Sequence, residues 1–140
     1  MKRVAAIQMA SGPQVRSNLT EAGRLISRAV DAGAELLVLP ENFAIMGMHE
    51  EDKVKVRETQ RQGPIQDFLA EQARRHGVWI VGGTVPLIGK DSQHIRAACM
   101  LFDDQGEIRA RYDKVHLFDV HLQDNRETYD ESTTTEPGES

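Results

Sequence analysis

The chain has 140 residues, the length of one ordinary domain, and its 39% hydrophobic and 28% charged residues are typical of a globular protein. Its formal net charge is −5 and it carries no long lysine and arginine block, so nucleic acid is not expected as a main partner. The single cysteine excludes an intrachain disulfide, and no apolar run reaches the length of a signal segment or membrane span. We therefore expect a cytoplasmic protein with no membrane partner.

The first forty residues predict a strand, a helix and a second strand. Val4–Met9 is a short apolar run closed by a Ser-Gly-Pro turn. From Val15 to Val30, apolar side chains recur every three or four residues, which predicts an amphipathic helix. Leu36–Leu39 is the second apolar run. This order favours parallel strands joined by a right-handed crossover.

The next segment combines a charged stretch with a second helix. Residues 48–62 lack a wide apolar stripe and are expected to form a solvated lid or a surface helix. Pro64 suits the first turn of a helix that ends at Gly77. The buried face of this helix is predicted to consist of Ile65, Phe68, Leu69 and Ala73.

The second half of the chain predicts three further strands, Val78–Val81, Ile95–Phe102 and Glu107–Tyr112. The Asp-Asp-Gln-Gly turn between the last two indicates an antiparallel hairpin. The stretch 123–140 is polar and poor in aliphatic residues, as in a loop or linker. Two convincing helices cannot cover both faces of such a sheet, so part of it is expected to lie uncovered.

Two charged residues occupy positions where chemistry is possible. Glu41 directly follows Pro40 at a predicted strand end, where open α/β sheets usually bind ligands. The alternative is a surface carboxylate that caps the next segment. Lys114 follows the fifth predicted strand in a mostly apolar stretch, and it either extends to water or meets a buried acid. The pattern alone favours the structural alternative for both residues.

Other polar residues carry weaker signals. Gly82–Gly83 lacks the flanking glycines and lysine of a phosphate loop, so a close backbone contact is expected instead. The spacing of His116, Asp119 and His121 matches no closed metal motif, and neither a metal nor another cofactor is expected. The remaining histidines, His49, His76 and His94, are expected at the surface.

Cys99 is the sole thiol, in the middle of a predicted strand. A reactive cysteine is commonly exposed in an electropositive position, such as a helix start. Cys99 has neither feature, so it is interpreted as a small buried hydrophobic residue.

Four stretches, in this order, resemble the N-terminal half of the nitrilase superfamily, the carbon–nitrogen hydrolases. Val4–Met9 resembles the first strand of that family, and Gly33–Phe43 resembles the segment with its catalytic glutamate. Tyr112–Asp119 resembles the segment with its catalytic lysine. Glu131-Ser132, followed by Pro137-Gly138, resembles a later segment whose glutamate supports the lysine. The resemblance runs over nearly the whole chain.

Two of these motifs indicate a branch within the family. Pro40–Phe43 and His116–Asp119 are similar to the branch that contains omega-amidases and deaminated-glutathione amidases. The resemblance implies an α/β fold, with residues 1–140 as one truncated, N-terminal part of a four-layer α-β-β-α sandwich and 123–140 as its polar tail. It also implies a homo-oligomer.

The family's activity implies roles for three residues. Glu41 would be the general base that takes the proton of a cysteine thiol, and Lys114 would stabilise the oxyanion of the tetrahedral intermediate. Glu131 would orient Lys114 or the substrate. The implied reaction hydrolyses a small carboxylate-bearing amide through a cysteine thioester and releases ammonia.

The nucleophile is the one member of this catalytic set that the chain does not supply. In the family it lies downstream of the Pro-Gly segment, so Cys99 cannot be matched to it, and the isolated chain is expected to be inactive. Two alternatives remain open. The chain is either a short non-catalytic protein that binds a partner or assembles through its uncovered sheet, or a small-molecule binder without turnover.

Overall fold

The computed structural model of the protein describes residues 2–121 and 128–139. Within them the strands are β1 (Val4–Ala6), β2 (Leu36–Val38), β3 (Trp79–Val81), β4 (Val85–Ile88), β5 (Ile95–Phe102), β6 (Ile108–Asp113), β7 (Asp119–His121) and β8 (Thr128–Asp130). The helices are α1 (Val15–Asp31), α2 (Glu51–Lys55) and α3 (Pro64–His76), and a 3-10 turn covers Glu131–Thr133. None of these helices is both long and apolar enough to cross a membrane.

Six of the strands form one mixed sheet. β1, β2 and β3 are parallel neighbours, which confirms the predicted strand-helix-strand arrangement. β5 is antiparallel to β6, as the Asp-Asp-Gln-Gly turn indicated. β3 and β4 pair with the two ends of one edge of β5, and β6 pairs with the other edge. β7 and β8 form a separate antiparallel pair.

The sequence prediction missed β4, for a physical reason. β4 has four residues, and Pro86 cannot donate a ladder hydrogen bond, so the run lacks the signature of a central strand. β4 nevertheless pairs with β5 from Val85 to Ile88. Its outer edge meets Glu58, whose backbone bonds to Pro86 and Ile88.

The core lies between the sheet and the two long helices. α1 contributes Ala22 and Ile26, and α3 contributes Leu69 and Ala73, all fully buried. Alternate strand residues, such as Leu37 in β2, complete this core from the sheet. The helices therefore cover one face of the sheet.

The opposite face of the sheet is partly open. Val4, Leu36 and Trp79 are in register across three strands, and Cys99 is in register with Tyr112. Val4, Trp79 and Tyr112 are exposed. The expectation that two helices leave part of the sheet uncovered is confirmed within the described residues.

The charged segment 48–62 differs from its expected solvated form. Only Glu51–Lys55 is helical, and Val54 and Glu58 are buried. The Glu58 carboxylate accepts hydrogen bonds from the backbone N–H groups of Ile65, at 2.5 Å, and Gln66, at 3.1 Å. These are first-turn N–H groups of α3 that have no partner within the helix, so Glu58 acts as its N-terminal cap.

The polar tail is not a free linker over residues 130–139. Thr134, Thr135 and Glu136 are buried. The backbones of Thr134 and Glu136 exchange hydrogen bonds with Ile95 at the start of β5, at 2.8 and 2.9 Å. Backbone hydrogen bonds and the ion pair between Arg96 and Glu136 hold this segment. The segment has few aliphatic side chains, so its composition resembled that of a loop. The predicted tail residues 123–127 lie outside the described residues.

Candidate active site

The loop that carries Glu41 follows directly from the parallel part of the sheet. Leu39 is buried, and its N–H donates to Val81 in β3, which continues the strand pairing beyond β2. Asn42 takes a positive φ of 55°, and its N–H donates to the hydroxyl of Thr84 at 3.0 Å. Asparagine tolerates this conformation better than most residues. The turn that presents Glu41 is therefore held from both sides.

Gly83 makes this packing possible. A Cβ at Gly83 would lie 2.1 Å from the carbonyl oxygen of Pro40, and the residue has a φ of +55°. Only a glycine allows both the backbone conformation and the close approach. The expected close backbone contact at Gly82–Gly83 is confirmed, and it supports the Glu41 loop.

Lys114 lies at the other side of the site, one residue beyond β6. Its N–H donates to the carbonyl of Ala97 at 3.0 Å, and its own carbonyl accepts from Gly138 at 2.9 Å. The backbone of Lys114 is thus held between the sheet and the packed tail. Its side chain is 22% exposed, so the ammonium is largely withdrawn from solvent.

Glu131 reaches the same point from the 3-10 turn after β8. Its side chain is 8% exposed, and Oε2 accepts from the backbone N–H of Phe118 at 2.8 Å. A buried carboxylate is costly unless it is paired and hydrogen-bonded. Both conditions are met here, because the same oxygen also accepts from Lys114.

The structure brings the three predicted site residues together around one ammonium. Lys114 Nζ donates to Glu41 Oε1 and to Glu131 Oε2, each at 2.8 Å. Glu41 is the open side of this cluster, with 52% of its side chain exposed. Two alternatives were open for Lys114, and the structure shows the second: its ammonium contacts acids and does not extend into water. Glu41 is exposed, as in the alternative of a surface carboxylate that caps the next segment, but its carboxylate pairs with Lys114.

The two carboxylates determine the protonation of Lys114. Burial alone would lower the pKa of this lysine, because it penalises the charged form. The hydrogen bonds and negative charges of Glu131 and Glu41 outweigh burial, and the pKa of Lys114 lies above its ordinary value. The group is therefore a fixed positive charge at neutral pH, suited to stabilising a developing oxyanion.

A cavity of about 650 Å³ opens beside this cluster. Its volume is in the range of small-molecule sites. Besides the three site residues, it is lined by Met46, Met48, Lys53 and Phe118. These residues come from loops and from the short α2. Phe118 belongs to the stretch that resembles the lysine segment, whereas Met46, Met48 and Lys53 carried no sequence signal for a site. The fold brings them together along the wall of this cavity.

Cys99 borders a second, smaller cavity of about 360 Å³, which it shares with Glu41 and Lys114. The thiol is partly buried in the middle of β5, somewhat more open than expected. Burial raises its pKa above the ordinary value. A raised pKa leaves less thiolate at neutral pH, which is the opposite of an activated nucleophile.

The histidines do not build a metal site in the part of the chain that the structure describes. His116 is exposed, Asp119 accepts from the backbone of Ser132, and the side chain of His121 lies outside the described residues. No cluster of three metal-ligating side chains occurs among residues 2–121 and 128–139. His49 is exposed as expected, whereas the other two expected surface histidines, His76 and His94, are half-buried.

Comparison with known proteins identifies relatives of this arrangement. The profile described as "Carbon-nitrogen hydrolase" matches residues 3–140. The deaminated glutathione amidase of Yersinia enterocolitica is 40% identical over 97% of this chain and 47% of its own length. The expected similarity to the branch of deaminated-glutathione amidases and omega-amidases is thereby confirmed. The chain spans about half the length of the curated relatives it matches.

Solved structures share the fold. The C. elegans NitFhit protein matches with a TM-score of 0.82 and 27% identity, over 97% of this chain and 33% of that one. A glutamate-to-glutamine mutant of the amidase from Nesterenkonia sp. AN1 matches with a TM-score of 0.77 and 25% identity, over 100% of this chain and 51% of that one. That amidase structure shows the product of Michael addition of acrylamide at the active-site cysteine. The expected α/β class and its relation to one part of a larger fold are confirmed.

Proposed function

The chain belongs to the carbon–nitrogen hydrolase family, and from this premise we propose that its protein hydrolyses the amide bond of a small carboxylate-bearing amide. The observation that carries the proposal is the position of Lys114 Nζ, 2.8 Å from both Glu41 and Glu131 beside a cavity of small-molecule size. The reaction would proceed in a reducing, cytoplasmic setting without a metal or another cofactor.

The proposed first half-reaction forms a thioester. Glu41 takes the proton of a cysteine thiol, and the sulfur attacks the amide carbon. The carbonyl oxygen becomes an oxyanion, which the Lys114 ammonium stabilises. The intermediate collapses when the C–N bond breaks, and the proton held by Glu41 passes to the leaving nitrogen, which departs as ammonia.

The second half-reaction releases the acid. Glu41 takes a proton from water, and the oxygen attacks the thioester carbon. Lys114 stabilises the oxyanion again, the C–S bond breaks, and the thiol regains its proton. Glu131 keeps Lys114 charged and in place through its negative charge and its 2.8 Å hydrogen bond to Nζ.

We propose that the attacking thiol is not Cys99 but a cysteine outside these 140 residues. Burial raises the pKa of Cys99, and the residue is held in the middle of β5. The relatives that the chain matches are about twice as long, which leaves room for such a cysteine. The 140-residue chain alone is then expected to be inactive.

The test uses the full product of the native gene and a panel of short amides, with ammonia release as the readout. Replacing Glu41 by glutamine removes the base and should lower kcat about 10²- to 10⁴-fold. Glu35→Gln, on the exposed surface, is the matched control and should retain the rate. An intact mass raised by one acyl group would identify the thioester. Full activity in Glu41→Gln, or no ammonia from any amide, would refute the proposal.

A second candidate function is a homo-oligomeric assembly module. It is favoured by the open face of the sheet, where Val4 and Trp79 are 58% and 39% exposed. A native gene product with the 15.7 kDa mass of this chain, self-associated and unable to release ammonia, would support it. A product of about twice that mass with amidase activity would exclude it.

A further inference from the structure

A second lysine lies on the wall of the cavity beside the Glu41–Lys114–Glu131 cluster. Lys53 is part of α2, next to Val54, which is buried and fixes the helix against the protein. The Lys53 side chain is only 12% exposed. It also borders a small adjoining cavity, together with Asn42 and Glu131. Lys53 is therefore held against the site rather than extended into solvent.

The Lys53 ammonium has unused bonding capacity within the described residues. It donates to Glu50 Oε2 at 3.2 Å, and this is its one hydrogen bond in residues 2–121 and 128–139. A lysine ammonium carries three donors. Lys114, in contrast, is held by two carboxylates at 2.8 Å each. Lys53 therefore has N–H donors left with which to bind an anionic ligand.

The cavity wall is acidic, so an anionic ligand depends on a cation that still has donors to spare. In the part of the chain that the structure describes, five carboxylates and two lysines line the cavity: Glu41, Glu50, Glu51, Asp130, Glu131, Lys53 and Lys114. Glu41 and Glu131 more than balance the charge of Lys114, so a third carboxylate, that of a ligand, would be repelled there. Among the described residues that line the cavity, Lys53 is the only other lysine or arginine. A carboxylate-bearing ligand would be bound best with its amide at Lys114 and its carboxylate at Lys53. Both lysines line the same cavity of about 650 Å³, which is in the size range of small-molecule sites.

We propose that Lys53 is the specificity-determining residue that binds the carboxylate of the amide substrate. The inference rests on the proposed amidase function, and it names the group that selects an anionic amide over a neutral one. The carboxylate would form a charge-assisted hydrogen bond with Lys53 in both the ground state and the transition state. Such uniform binding changes KM rather than kcat.

The test uses the full product of the native gene and two amides of the same length. Succinamate carries a terminal carboxylate, and butanamide has a methyl group in its place. Lys53→Met removes the charge but keeps an unbranched side chain. Lys55→Met is the matched control, because Lys55 lies on the same helix but is 70% exposed and pairs with Asp52.

Lys53→Met should raise KM for succinamate about 10- to 100-fold with little change in kcat, because a hydrogen bond between charged groups is lost. The same variant should leave KM for butanamide unchanged. Lys55→Met should resemble wild type with both amides. Lys53→Arg should have a higher affinity for succinamate than Lys53→Met, because it keeps the positive charge. An equal effect of Lys53→Met on the two amides, or none on either, would overturn the proposal.

Failure of the amidase proposal can be separated from failure of this one. If wild type hydrolyses neither amide, succinamate binding is measured directly by calorimetric titration. Weaker binding to Lys53→Met than to Lys55→Met would support carboxylate recognition without turnover. Equal binding to the two variants, or none to wild type, would overturn the role of Lys53.

Discussion

Lys114 Nζ and Glu131 Oε2 are joined by a 2.8 Å hydrogen bond, and the same Glu131 oxygen accepts the backbone N–H of Phe118. One buried carboxylate therefore links the lysine to the chain that follows it. Glu41 contacts the other side of the ammonium from a loop 73 positions earlier in the sequence. The lysine is held by two elements that the fold, not the local sequence, brings together.

Lys114→Ala in the full product of the native gene should lower kcat about 10²- to 10³-fold, the usual cost of losing one oxyanion donor. The secondary structure should persist, because the backbone bonds of Lys114 to Ala97 and Gly138 do not depend on its side chain. Steady-state kinetics and circular dichroism would measure the two effects. Lys90→Ala, at an exposed position, is the control, and a wild-type kcat in Lys114→Ala would refute the oxyanion role.

Cys99 should react slowly with iodoacetamide near neutral pH. Burial raises the pKa of the thiol, so less thiolate is present than in an unperturbed cysteine, and the rate should rise as pH approaches the raised value. Mass spectrometry over a pH series would measure the rate of alkylation. The same chain unfolded in urea is the control, because its thiol has lost the burial. Faster alkylation in the native state would indicate an activated thiol and would restore Cys99 as a candidate nucleophile.

Glu58→Ala should lower the free energy of unfolding by about 1–3 kcal/mol, because buried N–H groups at the start of α3 lose their acceptor. Urea denaturation would measure the loss. Glu71→Ala, an exposed glutamate on the same helix, should change stability by less than about 0.5 kcal/mol. Equal effects of the two substitutions would show that Glu58 is not a cap.

Local pattern was sufficient for the long elements of the fold. The helix periodicity from Val15 and the Pro64 start signal predicted α1 and α3, and the turn before Glu107 predicted the β5–β6 hairpin. The strand β4 was missed because Pro86 breaks its pattern. Buried polar residues such as Glu58 were missed because their partners come from other elements, which a local pattern does not show.

Local sequence pattern predicted less of the candidate site than of the fold. The positions of Glu41 and Lys114 alone favoured structural roles, and only the resemblance to a family joined them. Their contact depends on β2 and β6 belonging to one sheet and on the packed tail around Glu131. Lys53 carried no sequence signal, because its neighbourhood resembles any charged surface helix. Its position beside the site is seen only in the structure, where Lys53 lines the same cavity as Glu41, Lys114 and Glu131.

Gly83→Ala should both destabilise the protein and displace the loop that carries Glu41. The added Cβ would lie 2.1 Å from the Pro40 carbonyl oxygen, so the turn that carries Glu41 must move, and a φ of +55° is unfavourable for alanine. We expect a loss of about 2–4 kcal/mol in the free energy of unfolding, the strain of a special backbone position plus the clash.

Two other glycines separate the causes of that loss. Gly77 has a φ of +62° but nothing within 4 Å of an added Cβ, so Gly77→Ala measures the backbone strain alone. Gly12 has open space and no positive φ, so Gly12→Ala should be nearly neutral. Urea denaturation of the three variants should rank the losses as Gly83, then Gly77, then Gly12. If Gly83→Ala lost no more than Gly77→Ala, the contact with Pro40 would not hold the Glu41 loop in place.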